Sequence, residues 1–242
     1  MNLVVDVGNS AVKLAVFDNG ELIEKIRCEY SQFSLEIENL LKLHRRISAC
    51  ISSNVGNMQI EQILEDLQDI SHLKLSSLLK FPFTIKYKTP ETLGVDRLAL
   101  TTAAFYAYPN KDVLVIDAGT CITFDFINSS GQYLGGSISP GLKMRYQSLN
   151  HFTAKLPLLT KKQPESFIGQ STVEAIHVGV VCGTVAEIDG MIQRFTEEYP
   201  YLTVILTGGD SNFLSNQLKN SIFANSNFLL EGLNHILDFN RT

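Results

Sequence analysis

Two short stretches carry most of the chemistry legible in this 242-residue chain, LVVDVGNS at 3–10 and LVIDAGTC at 114–121. Each is an apolar run that ends on a carboxylate, Asp6 or Asp117, and enters a glycine turn at once. A carboxylate at the mouth of an apolar strand is costly unless something positive meets it. Glycines let backbone N–H groups approach anion oxygens, and carboxylates hold magnesium directly or through water. Two such turns suit a polyphosphate with its cation. Asn9, Ser10 and Thr120 add neutral donors, and Lys13 adds a positive charge just beyond the first turn. A third glycine turn, Thr207-Gly208-Gly209, follows an apolar run at 202–206 and offers backbone to a nucleotide's base or ribose. The sequence contains neither GxxxxGK[ST] nor GxGxxG, so P-loop and dinucleotide-binding readings lack their main support.

The elements that must position these residues read as a repeat. Sliding residues 3–20 onto 114–131, an offset of 111 without a gap, matches Leu3 with Leu114 and Val4 with Val115. It also matches Asp6 with Asp117, Gly8 with Gly119 and Gly20 with Gly131. Each copy reads as a strand, a D-x-G turn, a second strand, a turn ending in glycine, and a third strand. In the first copy the second turn is Asp18-Asn19-Gly20, a strong hairpin signal. The shared register of Asp, Gly and distal Gly reads as a duplication. Elsewhere, 46–53 reads as a strand, and 58–70 as a helix with Met58, Ile60, Ile63, Leu64, Leu67 and Ile70 near helical spacing. A helix is expected over 95–107, stopped by Pro109, and 172–198 reads as mostly helical, with Val185, Ile188, Met191, Ile192 and Phe195 on one face. A strand at 202–206 and a last helix at 231–239 complete the chain. Strand triplets alternating with helices mean α/β. A boundary near Asn110 gives lobes 1–110 and 111–242, facing each other across a cleft.

Hydrophobic content of 45% and charged content of 19% permit a sizeable core and argue against disorder. A net charge of -5, with a pI near 5.5, argues against a nucleic-acid partner. Cys28, Cys50, Cys121 and Cys182 form no CxxC pair and have no metal-ligand spacing with a histidine, which fits reduced thiols in the cytoplasm. The N-terminus lacks the pattern of a signal peptide. No stretch is expected to match the roughly 18 apolar residues of a membrane span.

DVGNSAVK (6–13) resembles the first phosphate motif of the acetate and sugar kinase, Hsp70 and actin superfamily, and DAGTCITFD (117–125) resembles the second. With TLGVDR (92–97), SISPG (137–141) and GQSTVEAI (169–176), the chain resembles the type III pantothenate kinase family from Asp6 to Gly209. Ser10 stands where threonine is frequent in that family, and Cys121 where alanine is frequent. The resemblance implies a duplicated RNase H-like (actin-like ATPase) α/β fold, two lobes around a nucleotide cleft, and a homodimer. It implies transfer of the ATP γ-phosphoryl group to the primary hydroxyl of pantothenate, the step that opens coenzyme A biosynthesis. Magnesium would accompany ATP, with a monovalent cation, potassium or ammonium. By the same resemblance Asp6, Val7, Gly8, Asn9, Ser10, Ala11, Val12 and Lys13 form the first ATP loop, with Asp6 at the magnesium. Thr120 meets the ATP phosphates, and Asp117 is the monovalent-cation ligand. Gly94, Val95, Asp96 and Arg97 hold pantothenate, with Asp96 as proton acceptor, and Tyr87 and Thr172 also touch that substrate.

Plainer roles compete with each of these. Asp6 and Asp117 could cap turns, and Lys13 could be a solvated strand residue. Asp96 suits the dipole of a helix start, and Arg97 could be a surface arginine. Tyr87 lies in the alternating stretch TIKYK, which reads as strand surface. Ser171 and Glu174 form an S-x-x-E capping box, which leaves Thr172 as the ligand candidate. His177 reads as a core histidine, while His151, Phe152 and Thr153 could reach a partner subunit's pocket. The acidic positions of EIENL and EQILEDLQD read as solvated helix faces. Two other functions are a phosphohydrolase of the same superfamily and a non-catalytic, nucleotide-binding actin-like regulator. The acid and arginine of TLGVDR argue against both.

Overall fold

The apolar start of the chain forms an antiparallel meander, β1 (Asn2–Val7), β2 (Val12–Asp18) and β3 (Glu21–Cys28). Asn19 and Gly20 join β2 to β3 at φ 51° and 85°, the paired positive φ of a two-residue type I′ hairpin turn. There follow α1 (Phe33–Leu43), β4 (Ala49–Asn54), α2 (Met58–Glu65), β5 (Ser71–Lys74), the short β6 (Thr84–Ile85) and α3 (Val95–Ala107). The second meander is β7 (Val113–Ala118), β8 (Cys121–Ile127) and β9 (Gln132–Pro140). After it come α4 (Leu142–His151), α5 (Thr172–His177), α6 (Gly183–Glu198), β10 (Thr203–Thr207), α7 (Ser211–Ser215), β11 (Phe223–Ala224) and α8 (Phe228–Arg241). The computed structural model describes residues 1–8, 11–54 and 58–241.

The chain forms two compact units, Met1–Pro109 with Asn227–Thr242, and Asn110–Ser226. In the first, the strand order is β3-β2-β1-β4-β5, with β4 parallel to β1 and β5 parallel to β4. Helices cover both faces of this sheet. Leu3, Val5, Val7 and Leu14 pack with α1 and α2 through Phe33, Ile37, Leu40, Ile60 and Leu64. Val4, Ala15, Phe17 and Ile51 pack with Ala99 of α3 and with Leu230, Leu233, Ile236 and Leu237 of α8. Burial on both faces is why β1 reads as a continuous apolar run rather than an alternating one. It also explains a difference from the lobe expected over 111–242. Residues 227–242 belong to the first unit, because the apolar stripe of α8 closes the open face of that sheet.

Within the second unit the strands run β11-β10-β7-β8-β9, with β10 parallel to β7 and β11 parallel to β10. This is the order of the first unit again, and the fold is α/β with a duplicated RNase H-like core. The gap-free repeat hides a register change. Asp6 pairs with Lys13 across β1 and β2, whereas Asp117 pairs with Thr123, not with Phe124 as the offset requires. The turn at 119–121 is shorter than that at 8–11, and the longer turn before Tyr133 restores the distal glycine match.

Two further expectations need correction. Thr172–Glu198 is a single helical stretch, with a π-turn at Val178–Cys182, long and apolar enough by length and composition to cross a membrane. Its Ile176, Val180, Ile188 and Ile192 join the core of the second unit. Glu61 is not on a solvated face. It is buried against Asn54, whose amide donates to Oε2 at 2.8 Å, with Lys74 3.4 Å from Oε1. Those partners offset its desolvation.

Candidate active site

The first glycine turn closes the β1–β2 hairpin. Gly8 N–H donates to the Ala11 carbonyl at 3.2 Å, and the Tyr30 hydroxyl donates to the Gly8 carbonyl. Asp6 is 7% exposed at the end of β1. Its cross-strand partner Lys13 meets it at 2.9 Å, which answers the desolvation of the carboxylate. Ser53 of β4 lies opposite Asp6 on the other side and is also buried. The Val7 and Val12 side chains lie in the core, so these residues can offer only backbone to a ligand. Ala11 is half-buried, and Asn9 and Ser10 lie outside the described residues. Arg27 is the β3 partner of Lys13, and Lys25 lies nearby on the same strand. Burial, with the Lys13 charge adding to it, holds the Lys25 ammonium below the usual lysine range.

In the second unit, Asp117 occupies the equivalent strand end, with Thr123 of β8 opposite on one side and Thr207 of β10 on the other. The Thr207-Gly208-Gly209 turn lies against it. A Cβ on Gly208, where φ is +94°, would fall 2.2 Å from Asp117 Oδ1. The Asp210 N–H donates to the Ala118 carbonyl at 2.9 Å, which ties the turn to β7. Thr120 is exposed at the tip of its own turn, and the Gly141 N–H donates to its carbonyl at 3.1 Å. Gly141 is the N-cap of α4, so SISPG brings a helix start to this turn. Gly209 is exposed.

The TLGVDR segment begins α3, with Gly94 as N-cap and Val95 as first residue. Asp96 is exposed, and its Oδ1 accepts the Arg97 N–H at 2.9 Å. Arg97 is not a surface arginine. It is 4% exposed, and its guanidinium carbon lies 5.8 Å from the centre of the Tyr87 ring, within cation–π range. Tyr87 is half-buried rather than plain strand surface.

Thr172 belongs to the other unit and is exposed at the start of α5. Ser171 caps that helix, its Oγ accepting the Glu174 N–H at 3.2 Å, while Glu174 Oε2 accepts the Gln170 N–H at 2.8 Å. His177 is buried and hydrogen-bonds Tyr146 at 2.8 Å through Nδ1. His151 and Phe152 are exposed. Sequence reasoning did not find Ser53, Thr123 and Thr207 as neighbours of the two aspartates, or Tyr30 at the first turn. Each is brought there by pairing or packing that local pattern does not encode.

The family model for type III pantothenate kinase matches residues 2–194. A type III pantothenate kinase from Christiangramia forsetii is 50% identical over 244 residues, covering 100% of both chains. Among solved structures, a Campylobacter jejuni protein described as a Baf family transcriptional activator is 24% identical, with a TM-score of 0.63, covering 99% of this chain and 98% of its own. A Sinorhizobium meliloti protein described as a 2-dehydro-3-deoxygalactonokinase has a TM-score of 0.58 at 14% identity, covering 99% of this chain and 97% of its own. These structural likenesses bear on the fold alone.

Proposed function

The chain belongs to the type III pantothenate kinase family and catalyses ATP-dependent phosphorylation of pantothenate in coenzyme A biosynthesis, and from that premise we propose which residues do the work. The observation that carries the assignment is the start of α3, where an exposed carboxylate, Asp96, adjoins a buried guanidinium, Arg97. The pantothenate hydroxyl is a poor nucleophile until its proton has somewhere to go. Asp96 Oδ1 is engaged by the Arg97 N–H, so Oδ2 receives that proton as the bond to phosphorus forms. Arg97 anchors the carboxylate of pantothenate through charge-assisted hydrogen bonds. Tyr87, Gly94, Val95 and Thr172 complete the substrate site.

Residues 6–13 hold ATP, together with Thr120, Gly208 and Gly209. Asp6 takes the divalent metal, magnesium, directly or through water, and Lys13 adds positive charge for the phosphates. A carboxylate at the strand end that enters the first glycine turn suits a hard cation that accompanies the phosphates. When bound, the metal neutralises charge on the phosphoryl oxygens. Asp117 holds the monovalent cation, potassium or ammonium, a reading supported by its threonine neighbours and by the cradle that a Gly208 Cβ would fill. The protein acts as a homodimer, a reading supported by Phe167, Ile168 and Val173, which are exposed around the start of α5. It works in the cytoplasm, which suits its four free thiols.

The test is ADP formation with and without pantothenate, in magnesium and potassium salts. Turnover that requires pantothenate is expected. Equal ATP consumption without pantothenate would favour the phosphohydrolase, and nucleotide binding without turnover the regulator.

A further inference from the structure

Asp125 is a buried carboxylate that the chemistry above does not use. It is 1% exposed. Its Oδ1 accepts the hydroxyl of Tyr133, a fully buried residue, at 2.8 Å. Its Oδ2 accepts the Thr123 hydroxyl at 3.0 Å. Thr123 is also the direct cross-strand partner of Asp117. Paired residues share one face of a sheet, with Cβ atoms about 4.5–5.5 Å apart. Asp125, two residues along β8 from Thr123, lies on that same face.

A threonine hydroxyl has one proton and two acceptor lone pairs. Here the proton is committed to Asp125, so toward Asp117 the Thr123 oxygen can only accept. An acceptor beside a carboxylate is repulsive unless a cation joins them. One charge and one neutral oxygen suit a singly charged ion better than a divalent one, because ligand charge tunes such sites. We propose that Asp125 is a positioning residue that holds the Thr123 proton away from Asp117, so that the Thr123 oxygen joins the Asp117 carboxylate as a ligand of the monovalent cation. The inference rests on the reading of Asp117 as that cation's ligand.

Asp125→Asn keeps the shape and reverses the polarity. The Tyr133 hydroxyl holds the amide oxygen, the NH₂ faces Thr123, and the Thr123 proton turns toward Asp117. Thr123→Val removes the oxygen outright. The probe is potassium chloride titrated against N-methylglucamine chloride at constant ionic strength, read by the thermal unfolding midpoint of the nucleotide-free protein. The parent is expected to gain stability saturably with potassium. Both variants should move the half-saturating concentration up by about 10–100-fold, the usual scale for groups that orient metal ligands. Tyr133→Phe, which leaves the carboxylate in place, should move it less. A midpoint lowered equally at every potassium concentration, with half-saturation unmoved in Thr123→Val and in Asp125→Asn, would overturn the proposal. If Asp117→Asn abolishes the potassium effect while those two variants leave it intact, the Asp117 reading stands and this inference falls. If the parent shows no saturable effect, or Asp117→Asn retains it, both fall.

Discussion

Replacing Gly208 by alanine puts a methyl group where the turn after β10 comes closest to β7. The new Cβ would lie 2.2 Å from Asp117 Oδ1, 2.5 Å from the Ala118 carbonyl carbon and 2.6 Å from its oxygen, where ordinary contacts are 3.4–4 Å. Two of these neighbours are backbone of β7, held by β8 on one side and β10 on the other. The Asp117 carboxylate is the group that can yield, and it can do so only by leaving its place. The φ of +94° adds strain of about 1–3 kcal/mol for alanine, and overpacking adds about 1–3 kcal/mol more. Gly20→Ala is the matched control. Its φ is +85°, and nothing lies within 4 Å of the added Cβ, so it carries only the first cost. In urea titrations Gly208→Ala should lose about twice the stability that Gly20→Ala loses. Its half-saturating potassium and its KM for ATP should rise by about tenfold or more, while Gly20→Ala keeps the parent's kinetics. Equal stability losses, with parental kinetics in Gly208→Ala, would refute the close approach and its role in holding Asp117.

Arg97→Ala should raise the KM for pantothenate by about 10–100-fold, the loss of a charged hydrogen bond, and change the KM for ATP far less. Equal effects on both substrates, read from initial rates, would mark a general structural defect instead. A second prediction concerns pH. His235 stacks on Tyr106 at 4.4 Å between ring centres, and burial pushes its pKa down against the opposing pull of Asp238 and Glu231. The unfolded chain therefore takes the proton first, and stability is lost as pH falls through the ordinary histidine value of 6.5. His72, lowered chiefly by burial, adds to the same slope. His235→Phe keeps the stack and should flatten the fall in Tm between pH 7.5 and 5.5, and an unchanged slope would exclude His235 as a source.

Both meanders were legible because their signals are local. The apolar runs, the Asn19-Gly20 turn and the matched aspartates all lie within a few residues of each other. Ser53 and Thr207 were not legible beside those aspartates, because the parallel pairings of β4 with β1 and of β10 with β7 span long separations. The exchange of Phe124 for Thr123 opposite Asp117 was masked by two turn-length changes that cancel in the gap-free repeat. The return of α8 to the first unit depends on which sheet face lacks a cover, which no single element states. Glu61 looked solvated by helical position, yet Asn54 and Lys74 let it be buried. At α3 the sequence pointed to the Asp96–Arg97 pair, but the burial of Arg97 and its approach to Tyr87 are tertiary facts.

The account turns on Asp96 as the acceptor of the substrate proton. The direct measurement is single-turnover phosphorylation of bound pantothenate by Asp96→Asn, beside calorimetric binding of pantothenate to the same protein. The amide keeps the shape of the carboxylate and removes its basicity. A base in this position is typically worth about 10²–10⁴ in rate, and a loss in that range is predicted, with pantothenate affinity changed much less. A chemical step at the wild-type rate would remove Asp96 from the chemistry. Lost affinity with an unchanged bound-state rate would contradict the account as directly, leaving Asp96 an anchor for the substrate and not its base.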